Sequence, residues 1–282
     1  MIQYKRCSEV SIDLVYGAFK DGFSDYIIKM DVSKEDFIQR FFGPEGNSLE
    51  HSFLALDGDK SAGIILGGIK VYETIKTMRC GTLAVHPEFR GIGVSQKLFE
   101  LHKEEAIQNE CQQLFLEVIV GNDRAIHFYN KLGYEKVYDL SYYNLNDVTK
   151  LTNKDNKNIE VQRLEFQTFK LEIQKWLNFH INWQNDIDYI EKTNNTYYGA
   201  YVDNDLKGSV CVNEQGKISY IFVDKDYRNI GIGMKLLQVA RVESNLSSLS
   251  IGFPNNSLLE GFLKKSGFKK NSLAQYEMYL LL

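Results

Sequence analysis

Two stretches of this 282-residue chain hold residue types that can do chemistry. In the first, the apolar run Leu83-Ala84-Val85 passes through His86-Pro-Glu-Phe into Arg90-Gly91-Ile92-Gly93-Val94-Ser95. A strand that turns into a helix with few side chains in front exposes backbone N–H groups at the helix opening. Those amides and the helix dipole favour a phosphate. Taken alone, the glycines serve a tight strand-to-helix turn equally well. The second stretch is Leu116-Glu117-Val-Ile-Val-Gly-Asn122-Asp-Arg-Ala125-Ile-His-Phe-Tyr129-Asn-Lys-Leu-Gly133-Tyr134. Glu117 interrupts an apolar strand, where it is one of two things. It is a poorly solvated carboxylate facing a cleft, as a general base would be, or a glutamate that opens to solvent or pairs with Lys or Arg. Tyr129 shares a helix face with Ala125, Phe128 and Leu132, a spacing that by itself makes a core aromatic. A phenol, with an ordinary pKa of about 10, is also a feasible proton donor to a thiolate.

Both stretches recur further along the chain. Ile221-Phe-Val-Asp-Lys-Asp-Tyr-Arg228-Asn-Ile-Gly231-Ile-Gly233 repeats the strand, turn and glycines. Gly261-Phe-Leu-Lys-Lys-Ser-Gly267-Phe268 repeats His127 to Tyr134, and Tyr198 to Gly208 repeats Phe53 to Gly63. Three landmarks in one order, with shortening connections, indicate two copies of one scaffold. The polar stretch Asn146 to Lys157 separates them, which places one domain at 1–147, a linker at 148–157 and a second domain at 158–282. Where Glu117 and Tyr129 stand in the first copy, the second has Ile251 and Leu263.

The elements that must position these residues follow from periodicity. Ser8 to Phe19 and Lys34 to Phe42 carry helical spacing, and Ser52 to Leu56 and Ala62 to Val71 read as a hairpin around Asp57-Gly-Asp-Lys60. Gly81 to Val85 and Leu114 to Val120 are short strands of a sheet covered on both faces, with a helix from Ile92 to Ile107 between them. A helix from Asp123 to Leu132, capped by Asn122 and ended by a left-handed Gly133, precedes a strand over Lys136 to Asn144.

Other chemistries lose support. With 33 Lys and Arg against 37 Asp and Glu and no dense basic run, nucleic acid is not an expected partner. Cys7, Cys80, Cys111 and Cys211 lack paired spacing, so no metal site or disulfide framework is signalled. No stretch approaches the roughly 18 apolar residues that span a bilayer, so no membrane association and a cytoplasmic location are expected. Neither copy offers G-x-x-x-x-G-K or a third glycine for a dinucleotide fingerprint. The five histidines, His86 and His127 among them, read as surface or packing residues.

Arg90-Gly-Ile-Gly-Val-Ser95 and Arg228-Asn-Ile-Gly-Ile-Gly233 resemble the acyl-CoA diphosphate loop, R/Q-x-x-G-x-G/A, of the GNAT superfamily of N-acetyltransferases. The stretch Leu116 to Tyr134 is similar to the ribosomal-protein alanine N-acetyltransferases. The first loop departs from the pattern at Ser95, and the second satisfies it. The resemblance implies an α/β fold of two tandem domains, each a mostly antiparallel mixed sheet flanked by helices. It implies acetyl-CoA as cosubstrate, with its diphosphate on Arg90, Gly91, Ile92, Gly93, Val94 and Ser95, or on Arg228, Gly231 and Gly233 in the second copy. It places the pantetheine arm along Leu83, Ala84 and Val85, with Asn122 beside it. Glu117 becomes the base that deprotonates a primary amine by direct attack on the thioester, and Tyr129 the acid for the leaving thiolate. The acceptor is a small-molecule amine or a peptide N-terminus, and the chain a monomer or homodimer. Phe23, Tyr26, Trp176 and Trp183 are either an acceptor wall or ordinary core. Two alternatives stay open: a non-catalytic CoA-responsive protein, and activity residing in the second copy.

Overall fold

Alternating apolar residues from Ser48 to Val85 build three long antiparallel strands, the frame on which the first copy is assembled. The computed structural model describes residues 1–151, 158–176 and 179–282. In chain order the elements are β1 (Gln3–Arg6), α1 (Ile12–Gly22), α2 (Lys34–Phe41), β2 (Ser48–Asp57), β3 (Lys60–Tyr72), β4 (Ile75–Val85), α3 (Val94–Gln108), β5 (Gln113–Ile119), α4 (Asp123–Lys131) and β6 (Glu135–Leu145). The second copy supplies β7 (Glu160–Leu164), α5 (Phe166–Trp176), α6 (Ile187–Glu191), β8 (Asn195–Val202), β9 (Asp205–Asn213), β10 (Lys217–Val223), α7 (Ile232–Glu243), β11 (Leu249–Pro254), α8 (Ser257–Lys265) and β12 (Lys269–Leu281).

The chain forms two units, Met1–Tyr138 with Gln275–Leu282, and Asp139–Ala274. In the first, the strand order is β1-β2-β3-β4-β5-β12, antiparallel except for the parallel pair β4–β5. Period-two alternation gives the sheet two buried faces. Val15, Phe19, Phe37 and Phe41 of α1 and α2 cover Leu54, Ile64 and Leu66, while Val94, Leu98, Phe99 and Tyr129 of α3 and α4 cover Ala55, Ile65, Leu114 and Leu116. Ser11, Ser33 and Asn122 cap α1, α2 and α4 by accepting from the backbone N–H groups of Leu14, Asp36 and Ala125. In the second unit the order is β6-β11-β10-β9-β8-β7, with β10–β11 the parallel pair. There α7 and α8 cover one face with Leu236, Leu237 and Leu263, and α5 covers the other with Phe169 and Ile173. No helix among the described residues is long and apolar enough to cross a membrane.

Three structural facts differ from the sequence reading. First, the units do not divide where the polar stretch lies. The last strand of the first copy pairs with β11 in the second unit, Leu140↔Pro254 to Leu145↔Leu249. The last strand of the second copy pairs with β5 in the first, Gln275↔Ile119 to Leu281↔Gln113. Alternation identifies a strand but not the sheet it joins. Second, part of the expected linker is core. Val148 and Leu151 are buried in the second unit, around the short 3-10 turn Val148–Lys150. The remainder of that stretch, 152–157, lies outside the described residues. The hairpin β3–β4 is also longer than the glycines suggested, since Ile75 to Cys80 extends the strand expected only from Gly81.

Because Met278 of β12 is fully buried in the core of the first unit, Met278→Ala should destabilise by about 2–5 kcal/mol. Leu281→Ala, at the exposed end of the same strand, should stay within about 0.5 kcal/mol. Urea unfolding of both variants checks the difference.

Candidate active site

The parallel pair β4–β5 is short. It runs from Thr77↔Gln113 to Cys80↔Leu116 and stops. Beyond that point β4 stays paired with β3 as far as Val85↔Gly63, and β5 stays paired with β12 as far as Ile119↔Gln275. The two strands therefore part, leaving an opening through the sheet. Its cause lies in β4, where the register passes from Gly67↔Cys80 to Leu66↔Thr82, so that Gly81 is an extra residue. Such a bulge bends its strand and breaks the ladder. The edge of Leu83, Ala84 and Val85 away from β3 faces this opening.

At its end β4 runs through the 3-10 turn Pro87–Phe89, capped by His86, whose Nδ1 accepts from the Glu88 N–H at 3.2 Å. Gly91 and Gly93 follow with φ of +79° and +89°, a backbone region that disfavours side chains. Nothing lies within 4 Å of where a Cβ would stand on either. Gly93 opens the 15-residue helix α3, so an open cradle of amides meets the positive end of a helix dipole. These residues fit a diphosphate. The Arg90 side chain does something else. Its Nε donates to the Val85 carbonyl at 3.0 Å, and its two Nη groups hold Asp25 at 2.5 and 2.6 Å. The guanidinium thus fastens the segment after α1 to the loop, and it holds the Asp25 carboxyl down at about 2. The loop offers amides, and the Arg90 side chain braces them.

Tyr129 projects from α4 into the core face beneath α3, edge-on to Tyr134 with ring centroids 5.6 Å apart. Its hydroxyl is within hydrogen-bonding reach of the Cys80 thiol, on the last paired residue before the bulge. Burial pushes the phenol well above its ordinary value, aided by the nearby Cys80, Tyr134 and Tyr26, so it holds its proton at working pH. The same burial pushes the Cys80 thiol up to about 12. Tyr26, from the segment after α1, reaches the Asn122 side chain and packs edge-on to Phe23.

Glu117 lies on the opposite face, because Leu116 and Val118 on either side of it point under α3 and α4. Its Oε2 accepts from Arg79 Nη2 at 2.7 Å, and Arg79 Nη1 donates to Glu45 Oε2, also at 2.7 Å. The glutamate is therefore the ion-paired one of the two readings, and the first residue of β5 past the end of the β4–β5 ladder. Arg79, Glu45 and the fully buried Glu277, which stands across from Glu117 on β12, escaped the sequence reading. A signal existed for two of them: Arg79 and Glu277 each break an alternating apolar strand as Glu117 does.

The second unit repeats the frame without the chemistry. Ser219 is its bulge residue, and β10–β11 pair only at Lys217 and Ile218. Gly231 has φ of +102°, with Asn229 at +65° in place of Gly91. A Cβ on Gly233 would come within 3.0 Å of the Phe262 ring. That glycine is therefore required by the packing of α8 over the first turn of α7. Arg228 turns its Nε to the Val223 carbonyl. Ile251 is buried and Leu263 fully so. Trp183, a candidate for an acceptor wall, is 1% exposed and belongs to the interior, whereas Trp176 stacks on Phe222 at 4.6 Å. His102 is fully buried, a packing residue with its pKa pushed down to about 3 by burial.

Comparison with known proteins agrees with this geometry. Residues 16–134 match the Acetyltransferase (GNAT) family, and residues 161–281 match an Acetyltransferase (GNAT) domain. N-alpha-acetyltransferase 30 of Schizosaccharomyces pombe is 31% identical over 124 residues, 43% of this chain and 81% of that protein. The Dictyostelium discoideum protein of the same name is 28% identical over 107 residues, 38% of this chain and 57% of its own length. Among solved structures, a tandem GNAT protein from the clavulanic acid biosynthesis pathway covers 100% of this chain and 98% of its own, with TM-score 0.73 and 13% identity. A GCN5-related N-acetyltransferase from Sphaerobacter thermophilus covers 100% and 95%, with TM-score 0.70 and 12% identity. At these identities the structures show the shared fold. The chain belongs to the GNAT acetyltransferases, and it carries two such domains in tandem.

The contrast between Ser95 and Gly233 gives a direct check. Gly233→Ser must displace the Phe262 ring and should cost about 1–3 kcal/mol. Ser95→Gly, on a half-buried position at the start of α3, should cost about 0.5 kcal/mol from lost helix propensity. Thermal and urea unfolding of the two variants test this.

Proposed function

We propose that the first unit transfers the acetyl group of acetyl-CoA to a primary amine, with a peptide N-terminus as acceptor. The observation that carries this reading is the placement of Tyr129 and Glu117. They lie on opposite faces of one sheet, at the point where β4 and β5 part. A thioester seated in the opening would have a protonated phenol on one side and a carboxylate on the other. Similarity to N-alpha-acetyltransferase 30 supports a peptide α-amine over a small-molecule amine.

Acetyl-CoA, when bound, supplies the activated acyl group. The chain's own residues do the rest. Amides from Gly91 to Ser95 hold the diphosphate, in a cradle whose shape Arg90 fixes through Val85 and Asp25. The edge of Leu83, Ala84 and Val85 away from β3, apart from the Val85 carbonyl that Arg90 holds, offers backbone groups to the pantetheine arm, and Asn122 stands at its side. A peptide α-amine, with an ordinary pKa of about 7.7–8.0, is largely protonated at neutral pH. Glu117 takes that proton and frees the lone pair for attack. Tyr129 keeps a proton on its phenol oxygen and gives it to the departing sulfur. Burial of the site disfavours a free thiolate, which favours its taking that proton as the bond to carbon breaks. In the second unit Gly252, the first residue of β11 past its short parallel ladder, and Leu263 offer no proton, so it does not turn acetyl-CoA over.

Thiol release from acetyl-CoA with a panel of peptides and small amines tests the reading. Tyr129→Phe should lower kcat by about 10²-fold or more with little change in the KM for acetyl-CoA. Gly93→Val should abolish binding, and CoA titration of the unaltered chain should saturate at one site. Absence of any acetylated product would favour a CoA-responsive binding protein, and turnover that survives Gly93→Val would move the activity to the second unit.

A further inference from the structure

Arg79 holds more than one carboxylate, and the second has no part in the reaction derived above. Its Nη1 donates to Glu45 Oε2 at 2.7 Å and to the Glu45 carbonyl at 3.2 Å, while Nη2 donates to Glu117 Oε2 at 2.7 Å. All three side chains are buried, 7% exposed or less. Glu45 comes from the turn between α2 and β2, and that turn is fixed. The Glu45 N–H donates to the Arg40 carbonyl at 3.1 Å and the Asn47 Nδ2 to the Phe41 carbonyl at 2.8 Å, while the Asn47 amide lies against Gly81, the bulge residue itself. The glutamate is thereby pressed onto the sheet where β4 and β5 part.

A lone guanidinium opposite a buried carboxylate holds it ionised and makes it a poor proton acceptor. A second carboxylate on the same guanidinium works the other way, since each negative charge draws on one cation. We propose that Glu45 is a positioning residue that shares Arg79 with Glu117 and so leaves Glu117 able to accept the acceptor's proton. This rests on Glu117 being the base. The charged and titratable groups around Glu117 include Arg79 from β4, Glu45 from the turn on the same guanidinium, Glu277 across from it on β12, and Tyr72 from β3, itself beside Glu73 and Tyr279. Arg40, the other cation near Glu45, stands 3.5 Å from its Oε1 but is 60% exposed and screened by water.

The test is Glu45→Gln, which keeps the size and an acceptor for Nη1 but removes the charge. Arg79 then acts on Glu117 with less competition. The acid limb of the kcat–pH profile should move to lower pH by about one unit, and the plateau kcat should fall by about tenfold. The KM for acetyl-CoA should be unchanged, and Glu45→Asp, which restores the charge, should recover part of the rate. A folded Glu45→Gln with the original limb and plateau overturns the proposal, as does a variant that only melts earlier. Glu117→Gln, run in parallel, separates the two claims. If it retains full kcat and its acid limb, the base assignment fails and this proposal with it. If it loses both while Glu45→Gln changes neither, only the sharing of Arg79 fails.

Discussion

A ladder between two parallel strands cannot continue once one of them carries an extra residue, and Gly81 in β4 is that residue. From this break follow the gap between β4 and β5, the edge of Leu83 to Val85 that no strand covers, and the placement of Glu117 and Tyr129 on opposite faces beside it. Neither side chain alone sits in a setting that demands catalysis. Tyr129 is a packed aromatic on a helix face, and Glu117 is half of a buried ion pair. What joins them is that the sheet between them ends its hydrogen bonding at Cys80 and Leu116. The bulge depends in turn on the neighbouring chain. Gly67 and Gly68 on β3 and Gly81 on β4 are glycines because the stretch from Gly46 to His51 lies directly on them.

Placing charge in such an opening is costly unless it is paired and hydrogen-bonded. Arg79 is the means by which unit 1 buries carboxylates on the side of the sheet away from α3 and α4. Buried ion pairs of this type rarely stabilise more than the apolar residues that could replace them. Removing one partner nevertheless leaves an unmatched charge, so the arrangement persists only as a whole. Its presence where β4 and β5 part, and the glycine, Gly252, at the corresponding place in unit 2, fit a functional origin better than a stabilising one.

The chemistry-bearing loop was legible in the sequence because backbone amides at a helix opening need glycines at fixed offsets, and Gly91, Gly93 and Gly231 do take left-handed φ values. Tyr129 and the Asn122 cap were legible for the same reason: a local spacing sets them. Glu117 was half legible. Its place in an apolar strand marked it, but its partners Arg79 and Glu45 are far away in sequence, and no periodicity reports a long-range pair. The strand over Lys136 to Asn144 was legible, but the partners of β6 and β12 were not, on the same ground. Each has the alternation of a strand, yet the sheet it joins is decided by pairings with β11 and β5 that a local pattern cannot contain. The role of the Arg90 side chain was not legible, because the motif fixes its position on the backbone, while Asp25, which captures it, lies in an irregular segment.

The second unit shows what the scaffold does once proton transfer is no longer held in place. Its bulge, its glycine-capped helix and its short parallel pair remain, because these arise from backbone register. The side chains have moved toward packing. Leu263 stands where the phenol is in unit 1 and joins one continuous core with Leu236 and Val210, while Gly252, the first residue of β11 past the β10–β11 ladder, carries no carboxylate where Glu117 stands in unit 1. Replacing a buried ionisable group by an apolar one removes a desolvation cost and is commonly neutral or stabilising. Phe262 extends the trend by packing against Gly233 in the first turn of α7. The glycine retained at 233 records the proximity of an aromatic ring, and the serine at 95 stands where no such ring presses on the helix.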